Sequence, residues 1–259
     1  MFANIIKTEW LKVKHYRTFW ILLALFFLAS LGVTYTAIEI MKVARDKSSG
    51  IFNLSPFDFP TVWRTVGFLN SYITLLLGFL VIILVSNEYT FRTHRQNIID
   101  GWSRQQFAFS KTLWIVGLSV YAVIVTFITA LVYGAIYGQM GFSLREGQYL
   151  IYLLLQALLT LSVAGLLAVL MRRAGVSIVV YMVYVMMENL PVSLINRFVG
   201  SWGRLFPLET ADRLMGYPLV EKVLPDDKGF APVVYICFAI MYIVLFNFFI
   251  NRKLSKADL

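Results

Sequence analysis

Residues 65 to 87 read TVGFLNSYITLLLGFLVIILVSN, 23 consecutive positions without one Asp, Glu, Lys or Arg. A soluble core helix rarely needs more than ten or so apolar positions, whereas about 20 residues at a helical rise match the roughly 30 Å of bilayer hydrocarbon. This run therefore reads as a membrane crossing. Four more uncharged runs of comparable length follow the same logic, at 18 to 38, 112 to 144, 147 to 171 and 229 to 251. A sixth, from Ala174 to Asn196, is interrupted only by Glu188. Composition agrees: 59% of the 259 residues are hydrophobic and 14% charged, far from the balance of an ordinary soluble domain. The mean hydropathy is +0.73.

The fold expected is an all-α membrane protein, a single transmembrane domain over 1–259. Its six spans lie near 19–40, 66–86, 112–138, 149–171, 174–195 and 230–250. Six crossings leave both termini on one side. That side also holds the segment 87–111 and the Arg172-Arg173 turn, and it carries 13 of the 23 Lys and Arg in fewer residues than the other side. The positive-inside rule then sets both termini in the cytoplasm. The net charge of +9 falls on that side, where it can meet anionic lipid rather than nucleic acid. Lys7, Lys12, Lys14 and Arg17 precede a first span too long for a cleavable leader, so an uncleaved anchor is expected.

Residues 1–18 form an interfacial helix in this reading, with Phe2, Ile5, Ile6, Trp10 and Val13 along one face. The segment 87–111, NEYTFRTHRQNIIDGWSRQQFAFSK, is too long and too patterned for a plain turn. A helical stretch through Arg92, His94, Arg95 and Gln96 should stop at Gly101. Ser103 and Gln106 then make a capping-box pattern that restarts a helix through Phe107 and Lys111 into the third span. Two short cytoplasmic helices result, a platform suited to contact with another protein.

On the other side, the loop after the first span carries Trp63 and several Phe, expected at the outer interface. Pro191 is expected to end the fifth span's helix. The outer segment 196–229 follows, in a region where the stretches 192–205 and 208–224 are apolar enough to dip into the outer leaflet but too short and charged to cross it. Glu188 lies about 21 Å from the start of its helix at ~1.5 Å per residue. An intramembrane acid is costly, so it is either a substrate-path or proton-linked residue, with Asn189 beside it, or a structural acid held by Tyr184, Asn189 or a neighbouring span. Cys237 reads as a small core residue.

Catalysis finds no support. His15 and His94 are far apart, and no HExxH, CxxC, GxSxG or GxxxxGK[ST] pattern occurs. Gly134, Gly138 and Gly141 are read as helix-packing residues instead.

The order Glu88, Tyr89, Thr93, Arg95, Ile98, Gly101, Ser103, Arg104, Phe107, Lys111 resembles the corresponding stretch of ABC-2 type transporter membrane subunits, in particular the bacitracin and lantibiotic-immunity permease branch. The departure is Gly101-Trp102, where many members carry a proline. The resemblance implies that 87–111 is a coupling segment docking into a separate cytoplasmic ABC ATPase through Glu88, Tyr89, Arg92, Thr93, Arg95, Gln96, Asp100, Gly101, Arg104 and Phe107. It also implies no cofactor in this chain, with ATP and Mg on the ATPase, and pairing with a second copy or a paralogue. The function expected is a non-catalytic, multi-pass permease subunit in the bacterial inner membrane, exporting a hydrophobic or amphipathic compound. The alternative is an ATP-independent channel or a proton-coupled carrier using Glu188.

Overall fold

The computed structural model describes residues 2–47, 56–91, 93, 101–216 and 229–256. Helix α1 (Phe2–Val13) leads into α2 (Arg17–Lys47), then α3 (Val62–Ile73) and α4 (Leu75–Thr90). Long helices α5 (Arg104–Tyr137) and α6 (Gln148–Met171) follow, then α7 (Ala174–Met187) and α8 (Asn189–Val199). A 3-10 turn (Ser201–Leu205), short α9 (Pro207–Asp212) and a second 3-10 turn (Arg213–Met215) precede α10 (Pro232–Lys256). Among the described residues, five helical segments are long and apolar enough to cross a membrane, and six if the bent α3–α4 pair is one span. The protein is therefore an all-α, multi-pass membrane fold.

Helix α6 is the axis of the bundle. Its most apolar window is 67% buried, against 17% for the α7–α8 segment and for α10. It packs on α3, α4, α5, α7, α9 and α10. Polar side chains tie the inner helices together: Asn70 Nδ2 donates to Ser30 Oγ and to Thr126 Oγ1, each at 2.8 Å, and Ser30 pairs with Thr129 at 3.0 Å. Without water to compete, such bonds link α2, α3 and α5 where apolar contact alone gives little preference over lipid.

Several expectations are corrected. The second span is bent by 41°. The break falls at Thr74, whose hydroxyl bonds back to the Asn70 carbonyl at 2.9 Å, a bond known to bend helices. Pro191 does not end a helix; it lies in the first turn of α8, and the break falls at Glu188. Proline cannot donate to the carbonyl four residues earlier and crowds it, here Met187, the last residue of α7. The stretch 192–205 is divided by Gly200 at φ +76°. In 208–224 the helix stops at Asp212, and residues 217–224 lie outside the described residues. Trp63 is fully buried, stacked on Phe127 with centroids 5.3 Å apart, rather than resting at an interface. Cys237 is exposed on α10. Of the three glycines, none is shown to seat a neighbouring helix: Gly134 receives the Phe59 ring from the turn before α3, Gly138 lies against the Gly134 and Phe57 carbonyls, and Gly141 faces open space.

The two ends of the bundle are distinct. At one, Arg104 reaches the Ser255 carbonyl at 3.0 Å, Arg172 lies over the Tyr89 ring and Lys12 meets Glu88, so α1, the end of α4, the start of α5, the Arg172 turn and the end of α10 converge. At the other, Trp63 bonds the Ser143 carbonyl, Asp58 bonds the Gln139 amide, and Arg64 bonds the Gly216 carbonyl.

Candidate functional site

Four charges converge at the end that holds the chain termini. Lys12 Nζ lies 2.7 Å from Glu9 and 3.1 Å from Glu88. Lys111 Nζ lies 2.5 Å from Glu88 and 3.6 Å from Glu9. Trp114 Nε1 donates to the second Glu9 oxygen at 2.8 Å. Glu9, Glu88 and Lys111 are 4–6% exposed. Two acids and two bases in alternation leave no net charge to bury, which is the condition under which ions are tolerated away from water.

The helices explain why these side chains meet. The buried face of α1 is Ile5, Glu9 and Val13, spaced by four, while Ile6 and Trp10 are exposed. The acid thus occupies the middle of the apolar stripe and points at the bundle. Glu88 sits in the last turn of α4 and Lys111 in the third turn of α5. Burial raises the Glu9 carboxyl, but Lys111 and Lys12 outweigh it and hold the group below its ordinary range. Burial lowers the Lys12 ammonium, and Glu88 and Glu9 more than reverse that, leaving it raised.

Six of the ten residues expected in the coupling segment are described, and Glu88 is itself a member of this cluster. Tyr89 is half-buried beneath Arg172. Thr93 lines a cavity of about 350 Å³ together with Glu9, Lys12 and Lys111. Gly101 has φ +90°, a conformation that suits glycine. The next residue, Trp102, has Lys12 over its ring at 5.6 Å. Ser103 and Gln106 form both bonds of a capping box, and α5 then runs unbroken for 34 residues, so the stretch from Arg104 is the first part of a span rather than a separate short helix. Arg104 is exposed; Phe107 is buried under Lys111 at 4.8 Å. Arg92, Arg95, Gln96 and Asp100 lie outside the described residues.

The second candidate place is a cavity of about 430 Å³ toward the opposite end. Glu188 and Asn189 both line it, with Gln156, Glu209 and Asp212, while Leu75, Met182, Val185 and Met186 supply apolar wall. Glu188 is 6% exposed, and its Oε1 accepts from the Leu208 amide at 2.9 Å, so the break between α7 and α8 is tied to the start of α9. Its partner is neither Asn189 nor a neighbouring span but the returning outer segment, with Tyr184 also near the carboxylate. Asp212 is accessible from the cavity yet crowded by protein. Burial, then the nearby Glu209 and Glu188, push its carboxyl up to about 7 against the pull of Gln156 and Arg213. Glu209 itself pairs with Arg213 at 2.6 Å.

Sequence reasoning missed Glu9 and Lys12 as parts of a site, although an acid midway between Ile5 and Val13 on a helix was the available signal. It also missed Glu209 and Asp212, whose approach to Glu188 depends on how the chain folds back.

A bundle of apolar helices long enough to cross a bilayer, with a neutralised ion cluster at one end, defines a multi-pass membrane protein. The family model described as ABC-2 family transporter protein matches residues 5–188, well over half of the chain, and the chain belongs to that family. It is a membrane permease component of an ABC-type transporter, a non-catalytic transmembrane subunit of the kind that pairs with a cytoplasmic ATPase and sits in lipid. No curated protein matches it.

Proposed function

We propose that this chain is the permease subunit of an ATP-driven exporter of a hydrophobic or amphipathic compound, akin to the bacitracin and lantibiotic-immunity branch. In this reading both termini face the cytoplasm of a bacterial inner membrane, and 87–111 is the coupling segment that receives the ATPase. Two such chains, or this chain and a paralogue, flank the path. The observation that carries the reading is the ion cluster joining α1, α4 and α5 directly beside that segment. Force delivered at the coupling residues would reach α4 through Glu88 and α5 through Lys111, so the two spans would move as one lever. The outer segment, whose Leu205 carbonyl bonds Tyr242 ten residues into α10, acts as a re-entrant plug in this scheme.

The test is reconstitution. An ATPase encoded with this chain should co-purify with it, and its hydrolysis rate should change when both are placed in liposomes. Arg92→Glu with Arg95→Glu should abolish the association. Retention of full binding by that double variant would exclude 87–111 as the docking segment.

A further inference from the structure

The cavity beside Glu188 is rich in acceptors. Gln156 is 6% exposed, and its Nε2 donates to the Ser71 carbonyl at 3.2 Å. Because a carbonyl can only accept, that contact fixes the amide with its Oε1 turned away. Gln156 Oε1 is buried with no hydrogen-bond partner; Glu188 Oε2 also has none within bonding distance, although the Tyr184 hydroxyl and the Glu209 amide lie near that carboxylate. Both residues line the same cavity, and Glu209 and Asp212 add two carboxylates to it. Buried acceptors are ordinarily satisfied, and leaving them unmet is costly. Among the described residues, Arg213 is bonded to Glu209. The cavity therefore offers negative charge and unmet acceptors to whatever enters it.

Size and wall chemistry narrow the occupant. A volume of about 430 Å³ lies in the range of small-molecule sites, roughly 300–1,000 Å³. Leu75, Met182, Val185 and Met186 form the remaining wall, and methionine adapts to varied apolar shapes. A bare metal ion would leave that wall uncovered, and the described residues include no metal-holding cluster. An anion would face carboxylates.

We propose that this cavity binds an organic cation, a protonated primary amine or guanidinium carried on a short apolar body. The N–H groups bond Gln156 Oε1 and Glu188 Oε2, Asp212 supplies the counter-charge, and the hydrocarbon lies against Met182 and Met186. The inference rests on the permease reading only in treating the occupant as cargo. Binding is measured on this chain without an ATPase, so a failed ATPase association and a failed amine binding are separate results.

The experiment uses the full chain in lipid nanodiscs at pH 8, where Asp212 is mostly ionised, with hexylammonium, hexyltrimethylammonium and hexanoate as probes, read by calorimetric titration against empty nanodiscs. Hexylammonium should bind saturably, about tenfold tighter than the trimethyl compound, which has no N–H to donate. Hexanoate should not bind. Gln156→Leu and Asp212→Asn should each weaken hexylammonium about tenfold or more; Asp212 reaches the cavity surface, so its variant preserves packing even if the Gln156 variant does not fold. Equal binding of the two cations, or undiminished binding in Asp212→Asn, would overturn the proposal.

Discussion

Lys111 of α5 and Glu88 of α4 are bonded at 2.5 Å across the segment that separates them in sequence, and both are buried. Among the described residues, Glu9 lies near Lys111 and Lys12 near Glu88 as further opposite charges. Removing one member of such a cluster strands a buried ion. Lys111→Met should therefore cost about 3 kcal/mol or more in equilibrium unfolding. Glu88→Gln should cost a similar amount for the same reason. The double variant should be less damaged than the sum of the singles, with a coupling energy of about 0.5–3 kcal/mol. Additive single costs would mean that the two residues do not act as a pair.

The docking of α1 should be acid-labile. Glu9 is held below its ordinary range, so its contribution is full above the unfolded-state carboxylate value near 4.5 and is lost as pH falls through the lowered folded value. Lys12 is raised, so its contribution is full below about 10.5 and is lost only as pH rises through the raised value. Between those limits α1 stays docked. Fluorescence of Trp114, whose indole bonds Glu9, should change on acidification below pH 4. In Glu9→Gln that transition should vanish while the rest of the acid unfolding curve remains.

The spans were legible because the bilayer imposes one crude requirement, some twenty residues without charge, and the sequence from 65 to 87 meets it plainly. The capping box at Ser103 and Gln106 was legible because its pattern is local. What sequence could not supply were contacts set by packing. Thr74 bends a run whose apolar pattern shows no break. Pro191 marks a helix breaker in the sequence, but its effect falls four residues earlier, at Met187. Glu188 stands out in an otherwise apolar run; that it meets Leu208, Glu209 and Asp212 depends on α9 returning against α6 and α10.

Asp212 should make stability depend on pH in the opposite sense to Glu9. Its folded value is raised to about 7 from an ordinary 3.8, so the fold prefers the protonated acid. Between those values the native state holds more protons than the unfolded chain, and stability falls as pH rises. The melting temperature should accordingly be higher at pH 5 than at pH 8, a window in which Glu9 is fully ionised. In Asp212→Asn the difference should shrink. An unchanged difference would assign the dependence to another group.

Gly78 and Tyr181 set how closely α4 and α7 approach. A Cβ on Gly78 would meet the Tyr181 hydroxyl and come within 2.6 Å of the ring carbons beside it. Tyr181 is fully buried, so the ring has little room to withdraw, and Gly78→Ala should destabilise the protein by about 1–3 kcal/mol through overpacking. The hydroxyl is the nearest obstacle and has no hydrogen-bond partner. Tyr181→Phe alone should then be neutral or slightly stabilising, because it removes an unmet polar group. Combined with Gly78→Ala it should recover part of the loss. Thermal unfolding of the four proteins in the same detergent measures this, and a double variant no better than Gly78→Ala alone would show that backbone contact, not the Tyr181 ring, limits the approach of the two helices.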